Sequence, residues 1–125
     1  MHRSRLAGFI VDCKGDDAAP AAKFWSSALG MPEQKHEGRY VVLDAAERDL
    51  HVEVQHVEHE SRVHLDIESD DVPAEVARLE ALGAARAAQE HAGTWVVMRA
   101  PTGQLFCVVR AKGDLSIAPG ASIWP

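Results

Sequence analysis

The sequence has few cysteines, a deficit of basic residues and no long hydrophobic run. Its two cysteines, Cys13 and Cys107, are too few for a disulfide framework and show no zinc-site spacing, so we expect reduced thiols. Thirteen Lys and Arg against nineteen Asp and Glu give a net charge of −6, which argues against nucleic acid or membrane partners. The apolar stretch over residues 6–11 is too short for a signal peptide or a membrane span. These absences predict a cytoplasmic protein.

The composition that is present is that of a soluble globular protein. The chain has 125 residues, of which 46% are hydrophobic and 26% charged. Two separate domains of this total length would each have a core too small to be stable alone. We therefore predict a single domain over residues 1–125.

An internal repeat organises the chain. Residues 38–45, GRYVVLDA, recur as residues 93–100, GTWVVMRA, and the shorter strings ALG and DD each recur at nearly the same offset. Several matches in one order indicate two tandem modules, which we place at about residues 6–57 and 61–110, with a tail over 111–125.

Each module shows the signals of one strand, one helix and three further strands. In the second module, Val63, Leu65 and Ile67 alternate with polar residues, as in a half-buried strand. Asp71 then supplies a helix N-cap and Gly83 a left-handed helix end. Strands are expected over 84–89, 95–99 and 105–110. In the first module the same order predicts a strand over 6–13, a helix over 18–29 whose Phe24 and Trp25 pack in the core, and strands near residues 34, 40 and 50.

Several motifs in this order carry a resemblance to a known superfamily. They are KFW and ALG in the first helix, HLD leading to Asp70 and Asp71, and TWVV running to PTGQLFC. On these motifs the chain resembles the vicinal oxygen chelate superfamily, in its glyoxalase-like, bleomycin-resistance and dioxygenase branch. The resemblance implies an α+β fold in which tandem βαβββ modules form a curled mixed sheet around a cleft.

The superfamily also implies four positions for a divalent metal such as Zn, Ni, Fe or Mn. The second module would supply His64 and Cys107. The first would supply Gly8 or Ile10, which carry no donor atom, together with Gln55 or Glu53. An amide oxygen is a poor ligand for these metals, so we expect no metal cofactor. The alternative left open is a weak site formed by His64 and Glu53.

Strand periodicity predicts which residues line the cleft. If Val52 and Val54 face the helix, then Glu53 and Gln55 share the opposite face with His51. His64 is the candidate catalytic residue, because an imidazole can act as a general base, although it could equally hydrogen-bond Asp66. Trp95 and the equivalent Tyr40 could stack on a flat ligand or fill the core. The predicted ligand-binding set is Glu53, Gln55, His64, Asp66, Trp95 and Cys107.

Two functions from different classes remain open. The first is a metal-independent protein that binds a small organic molecule in the cleft and sequesters it, as bleomycin-resistance proteins do. The second is a lyase-type or isomerase-type enzyme that acts on a small carbonyl compound through His64, with or without a divalent metal. The sequence does not decide whether the chain is an enzyme.

The apolar residues of the tail bear on whether the chain pairs with a second copy of itself. It carries Leu115, Ile117, Ile123 and Trp124, and apolar residues near a terminus are usually held against other protein. They either pack along the chain's own domain or clasp a second subunit. With the superfamily's habit of pairing modules across subunits, the tail predicts a homodimer.

The metal expectation can be measured directly. Because Gly8 or Ile10 and Gln55 stand where ligands are expected, the purified protein should retain well under one equivalent of Zn, Ni, Fe or Mn after dialysis. Elemental analysis of protein prepared without chelator checks this. Stoichiometric metal that is lost on His64→Ala would contradict it.

Overall fold

Alternating strands and two helices make up the residues that the computed structural model describes, 1–87 and 95–125. They form the predicted α+β fold, with parallel and antiparallel strand pairs. The elements are β1 (His2–Lys14), α1 (Ala19–Leu29), β2 (Glu33–Glu37), β3 (Tyr40–Leu43), a 3-10 turn (Ala46–Arg48), β4 (His51–Val57), β5 (Arg62–Ser69), α2 (Val72–Ala81), β6 (Ala85–Arg86), β7 (Trp95–Arg99), β8 (Leu105–Arg110) and β9 (Ser122–Trp124).

The chain divides into two units. Residues 8–64 form one unit, and residues 1–7 together with 65–125 form the other. Strands β1 and β5 each run through the division, so each contributes residues to both units.

In the unit of residues 8–64, α1 packs on one face of four strands. β1 pairs in parallel with β4, while β3 pairs antiparallel with β4 and β2 with β3. The buried core joins Ala22 of α1 to Val52 and Val54 of β4. The face of β4 that carries Glu53 and Gln55 is therefore the face directed away from the helix, as the alternation predicts.

In the other unit, α2 packs on β7 and β8. Its core joins Val76 and Leu79 to Val96, Met98 and Val108. β5 pairs in parallel with β8, which pairs antiparallel with β7. The predicted helix start is confirmed, because the Asp71 side chain accepts a hydrogen bond from the backbone N–H of Ala74 at 3.0 Å.

The tail packs on its own chain. β9 pairs antiparallel with the start of β1, and the Trp124 Nε1–H donates to Ser4 Oγ at 2.9 Å. Leu115 is buried, whereas Ile117 and Ile123 are exposed. The first of the two interpretations of the tail is therefore confirmed for Leu115 and Trp124.

Three sequence predictions differ from the structure. Phe24 is 61% exposed, so placing it in the core was wrong: it projects from α1 and meets Trp25 edge to face. β1 begins at His2 rather than at residue 6. Its first buried side chains are the polar His2 and Ser4, so the sequence there shows no alternation of apolar and polar residues. Of the strand predicted over 84–89, the structure has only β6, and residues 88–94 lie outside the described residues.

No helix among the described residues is long and apolar enough to span a membrane.

The pairing of β1 with β4 requires a glycine at position 8. Gly8 lies opposite His51, and a Cβ atom added there would sit 1.8 Å from the backbone oxygen of His51. Backbone cannot move aside as a side chain does. Gly8→Ala should therefore lower the free energy of unfolding by about 3 kcal/mol, the upper end for overpacking, in urea titrations.

Gly113→Ala is the matched control, because nothing lies within 4 Å of a Cβ at that position. Its unfolding midpoint should stay close to that of the parent protein. Equal midpoints for the two variants would show that β1 and β4 approach less closely than the structure indicates.

Candidate functional site

A row of polar residues crosses three strands of the unit formed by residues 8–64. Tyr40 of β3 lies opposite Gln55 of β4, and Gln55 lies opposite Asp12 of β1. All three alternate with residues that pack on the α1 core, so they lie on the face directed away from the helix. We call Tyr40, Gln55 and Asp12 the polar row.

A buried carboxylate holds the candidate catalytic histidine. Asp12 is 2% exposed, and its Oδ2 accepts a hydrogen bond from His64 Nδ1 at 2.9 Å. The Arg62 guanidinium approaches the same oxygen at 3.7 Å. An ionised carboxylate only accepts hydrogen bonds, so the bond fixes the His64 tautomer that carries its proton on Nδ1. Asp12 therefore orients the imidazole of His64 and directs its acid–base chemistry to Nε2.

The second oxygen of Asp12 differs from the first. Oδ1 is buried and has no hydrogen-bond partner among residues 1–87 and 95–125. A buried acceptor of this kind is costly unless a donor meets it. A ligand hydroxyl or a bound water beside the polar row would satisfy it.

Asp12 was not among the site residues predicted from the sequence. The predicted positions on β1 were Gly8 and Ile10, although Asp12 continues the same alternation. The first strand of the module therefore does carry a polar side chain on the predicted face, two residues further along than expected.

Glu53 is held by a different histidine. Its Oε1 accepts a hydrogen bond from His51 Nε2 at 2.7 Å, two residues away on β4. The structure thus pairs Glu53 with His51, and it pairs His64 with Asp12. Glu53 and Gln55 do share one face of β4, and Glu53 lies opposite Ile10 of β1 in the strand register.

The remaining predicted residues lie on β5, β7 and β8. Asp66 is opposite Cys107 in the register of β5 and β8, and both are half-buried. Cys107 lies between two core residues, Phe106 and Val108, so its side chain is on the face away from α2. Trp95 alternates with core residues in the same way and is 38% exposed, which favours ligand contact over core filling.

The fit of these residues to the superfamily's metal differs between the modules. In the first module, Gly8 and Ile10 offer no donor, and position 8 has no room for a side chain. In the second, Asp66 of β5 lies opposite Cys107 of β8, and both carry donor atoms, as does His64. The four-strand ligand set does not fit, because the first strand of the first module supplies no ligand at the expected positions. Glu53, named with His64 in the weak alternative, is bonded to His51.

Burial and neighbouring charges keep two side chains protonated. Burial, reinforced by Asp12, raises the pKa of the Cys13 thiol, so Cys13 acts as a small apolar residue. Burial raises the pKa of Tyr40, and Glu37 and Glu53 raise it further. The Tyr40 phenol is therefore a hydrogen-bond donor at neutral pH.

Comparison with known proteins supports one fold. The model of the glyoxalase-like domain family matches residues 8–109. Methylmalonyl-CoA epimerase from Mycobacterium tuberculosis superposes with a TM-score of 0.61 at 16% identity over 90% of this chain and 93% of that chain. No curated protein matches the chain in sequence.

Two further solved structures share the fold. Streptomyces coelicolor methylmalonyl-CoA epimerase, in a variant bound to 2-nitronate-propionyl-CoA, has a TM-score of 0.62 at 14% identity over 87% and 98% of the two chains. A glyoxalase/bleomycin resistance protein/dioxygenase superfamily member from Vibrio splendidus has a TM-score of 0.53 at 16% identity over 86% and 100%. The family match confirms the resemblance, and the structural matches confirm the fold.

The pKa of Tyr40 tests the geometry of the polar row. Tyr40 is the only tyrosine in the chain, so ultraviolet absorbance of the phenolate reports on it alone. Its pKa should lie above that of a free tyrosine. Glu53→Gln should lower that pKa, because it removes a negative charge that disfavours the phenolate.

Glu58→Gln is the control for this titration. Glu58 is exposed after β4 and does not contribute to the Tyr40 shift, so this substitution should leave the pKa unchanged. An equal response to both substitutions would mean that Glu53 does not face Tyr40.

Proposed function

Because the chain belongs to the glyoxalase-like domain family, we propose that it is an isomerase-type or lyase-type enzyme that transfers a proton on a small carbonyl compound through His64. The observation that carries this proposal is the 2.9 Å hydrogen bond from His64 Nδ1 to the buried Asp12. A carboxylate in this position orients an imidazole and stabilises its protonated form, which is what a general base requires.

The polar row supplies the other groups that such a reaction needs. Removing a proton beside a carbonyl places negative charge on the carbonyl oxygen. The amide of Gln55 and the phenol of Tyr40 are hydrogen-bond donors on the same face as Asp12, and donors aimed at that oxygen stabilise the charge. His64 takes the proton on Nε2, and Asp12 holds the resulting imidazolium.

The similar structures indicate a substrate class to test first. Two of them are named as epimerases of methylmalonyl-CoA, and one holds 2-nitronate-propionyl-CoA. Acyl thioesters therefore belong in the first set of compounds. A divalent ion bound by His64 would polarise the carbonyl as a Lewis acid, in which case His64 serves as a ligand and Asp12 fixes its orientation.

Sequestration without chemistry is the second candidate function. It is favoured by the exposed ring of Trp95 and the half-buried ring of Tyr40, both on faces directed away from the helices. Aromatic rings in such positions can stack on a flat ligand. A sequestering protein would bind such a compound tightly and return it unchanged.

Proton exchange in deuterated water separates the two functions. We expect the protein to exchange for deuterium the hydrogen next to the carbonyl of pyruvate, dihydroxyacetone or S-propionyl-N-acetylcysteamine. Proton NMR measures the rate of this exchange. His64→Gln should slow this exchange by about 100-fold or more, the contribution of a general base. Asp12→Asn should slow it by a comparable factor, because an asparagine amide can donate to Nδ1 and so favours the tautomer in which Nε2 already carries the proton.

The control for that experiment is His36→Gln, since His36 is exposed on β2 and its side chain pairs with Glu33 of the same strand. It should leave the rate unchanged. Tight binding with no exchange for any compound would favour sequestration. Exchange abolished by a chelator and restored by one divalent metal would reassign His64 from base to metal ligand.

A further inference from the structure

The outer edge of β9 is open. β9 (Ser122–Trp124) pairs with β1 on one side only, with His2 opposite Trp124, Arg3 opposite Ile123 and Ser4 opposite Ser122. No strand pairs with its other side in the described part of the chain. Ile123, at the centre of this edge, is 59% exposed.

The hydrogen bonds of Arg3 show which way the backbone of Ile123 points. The backbone N–H of Arg3 donates to Asp70 Oδ1 at 2.7 Å, and its carbonyl accepts from the backbone N–H of Asp70 at 3.2 Å. Opposed residues in an antiparallel pair exchange either both backbone hydrogen bonds or neither. Since both groups of Arg3 point toward Asp70, Arg3 and Ile123 exchange neither. The N–H and C=O of Ile123 therefore point away from β1, toward the open edge.

β9 has only three residues, but apart from this shortness its edge lacks the usual protections against pairing. Exposed edge strands in monomeric proteins commonly carry charges, prolines within the strand or bulges that prevent association. Residues 115–125, LSIAPGASIWP, contain no charged residue and no histidine, and the two nearest prolines lie outside β9. Two copies that each carry a net charge of −6 also meet least electrostatic repulsion at an uncharged segment.

We propose that this edge binds a second copy of the chain, with β9 pairing antiparallel to β9 of the partner. The two-fold axis passes between the two Ile123 residues, which lie opposite each other. One N–H and one C=O at the centre of a strand form a self-complementary pair, so two identical copies satisfy both groups at once. The exposed Ile123 side chains become neighbours in this arrangement.

The oligomeric state of Ile123→Pro tests this directly. Proline removes the N–H that points to the open edge, while pairing with β1 does not use that group. In sedimentation velocity, the unmodified chain should run at about 27 kDa, twice its 13.6 kDa mass. Ile123→Pro should run as a monomer with a melting temperature within a few degrees of the parent protein. Ile117→Ala, which removes another exposed apolar side chain of the tail, should stay dimeric.

A disulfide provides a second test that does not depend on how proline is tolerated. Cα atoms of a hydrogen-bonded antiparallel pair lie about 5.5 Å apart, within the range of a disulfide. Ile123→Cys should therefore form a covalent dimer on mild oxidation, with the bond mapped by mass spectrometry to position 123 of both copies. A monomeric parent protein, a dimeric Ile123→Pro or the absence of this link would each overturn the proposal. None of these outcomes depends on the activity of His64.

Discussion

The buried carboxylate of Asp12 is the constraint on which the polar face of residues 8–64 depends. A carboxylate that is 2% exposed must be paired, because isolated burial of a charge costs far more than one hydrogen bond returns. Its partner is His64, 52 positions along the chain. This bond joins the start of the second module to the last part of β1, and it fixes the orientation of the imidazole.

The same arrangement serves two kinds of chemistry. A carboxylate behind an imidazole stabilises the protonated ring of a general base, and it also orients a histidine that binds a metal. Proteins with this fold differ in function although their sheets are alike. The residues around His64, rather than the fold, therefore decide between the two kinds of chemistry. Here the first module offers a glycine with no room for a ligand, whereas His64, Asp66 and Cys107 of the second module each carry a donor atom.

Both chain termini are tied down by a second buried acid. Glu75 of α2 is fully buried, accepts from Arg78 Nε at 2.6 Å and contacts His2 Nε2 at 3.3 Å. The Arg78 guanidinium lies 3.9 Å from the centre of the Trp124 ring. The start of β1 and strand β9 are thus held against α2 by polar contacts. These contacts hold β9 without using its outer edge, so that edge stays available for pairing.

The sequence alone determined the elements whose signals are local. Alternation predicted β5 and the faces of Glu53 and Gln55, and the Asp71 cap predicted the start of α2. The repeat and its motifs were enough to identify the superfamily. Only the tertiary structure decided what depends on partners distant along the chain. Asp12 looks like any strand-end acid until His64 meets it, and β1 begins at His2 because Glu75 and Trp124 supply partners for His2 and Ser4. Likewise Phe24 fits a helical stripe, but whether that stripe is covered depends on what packs against α1.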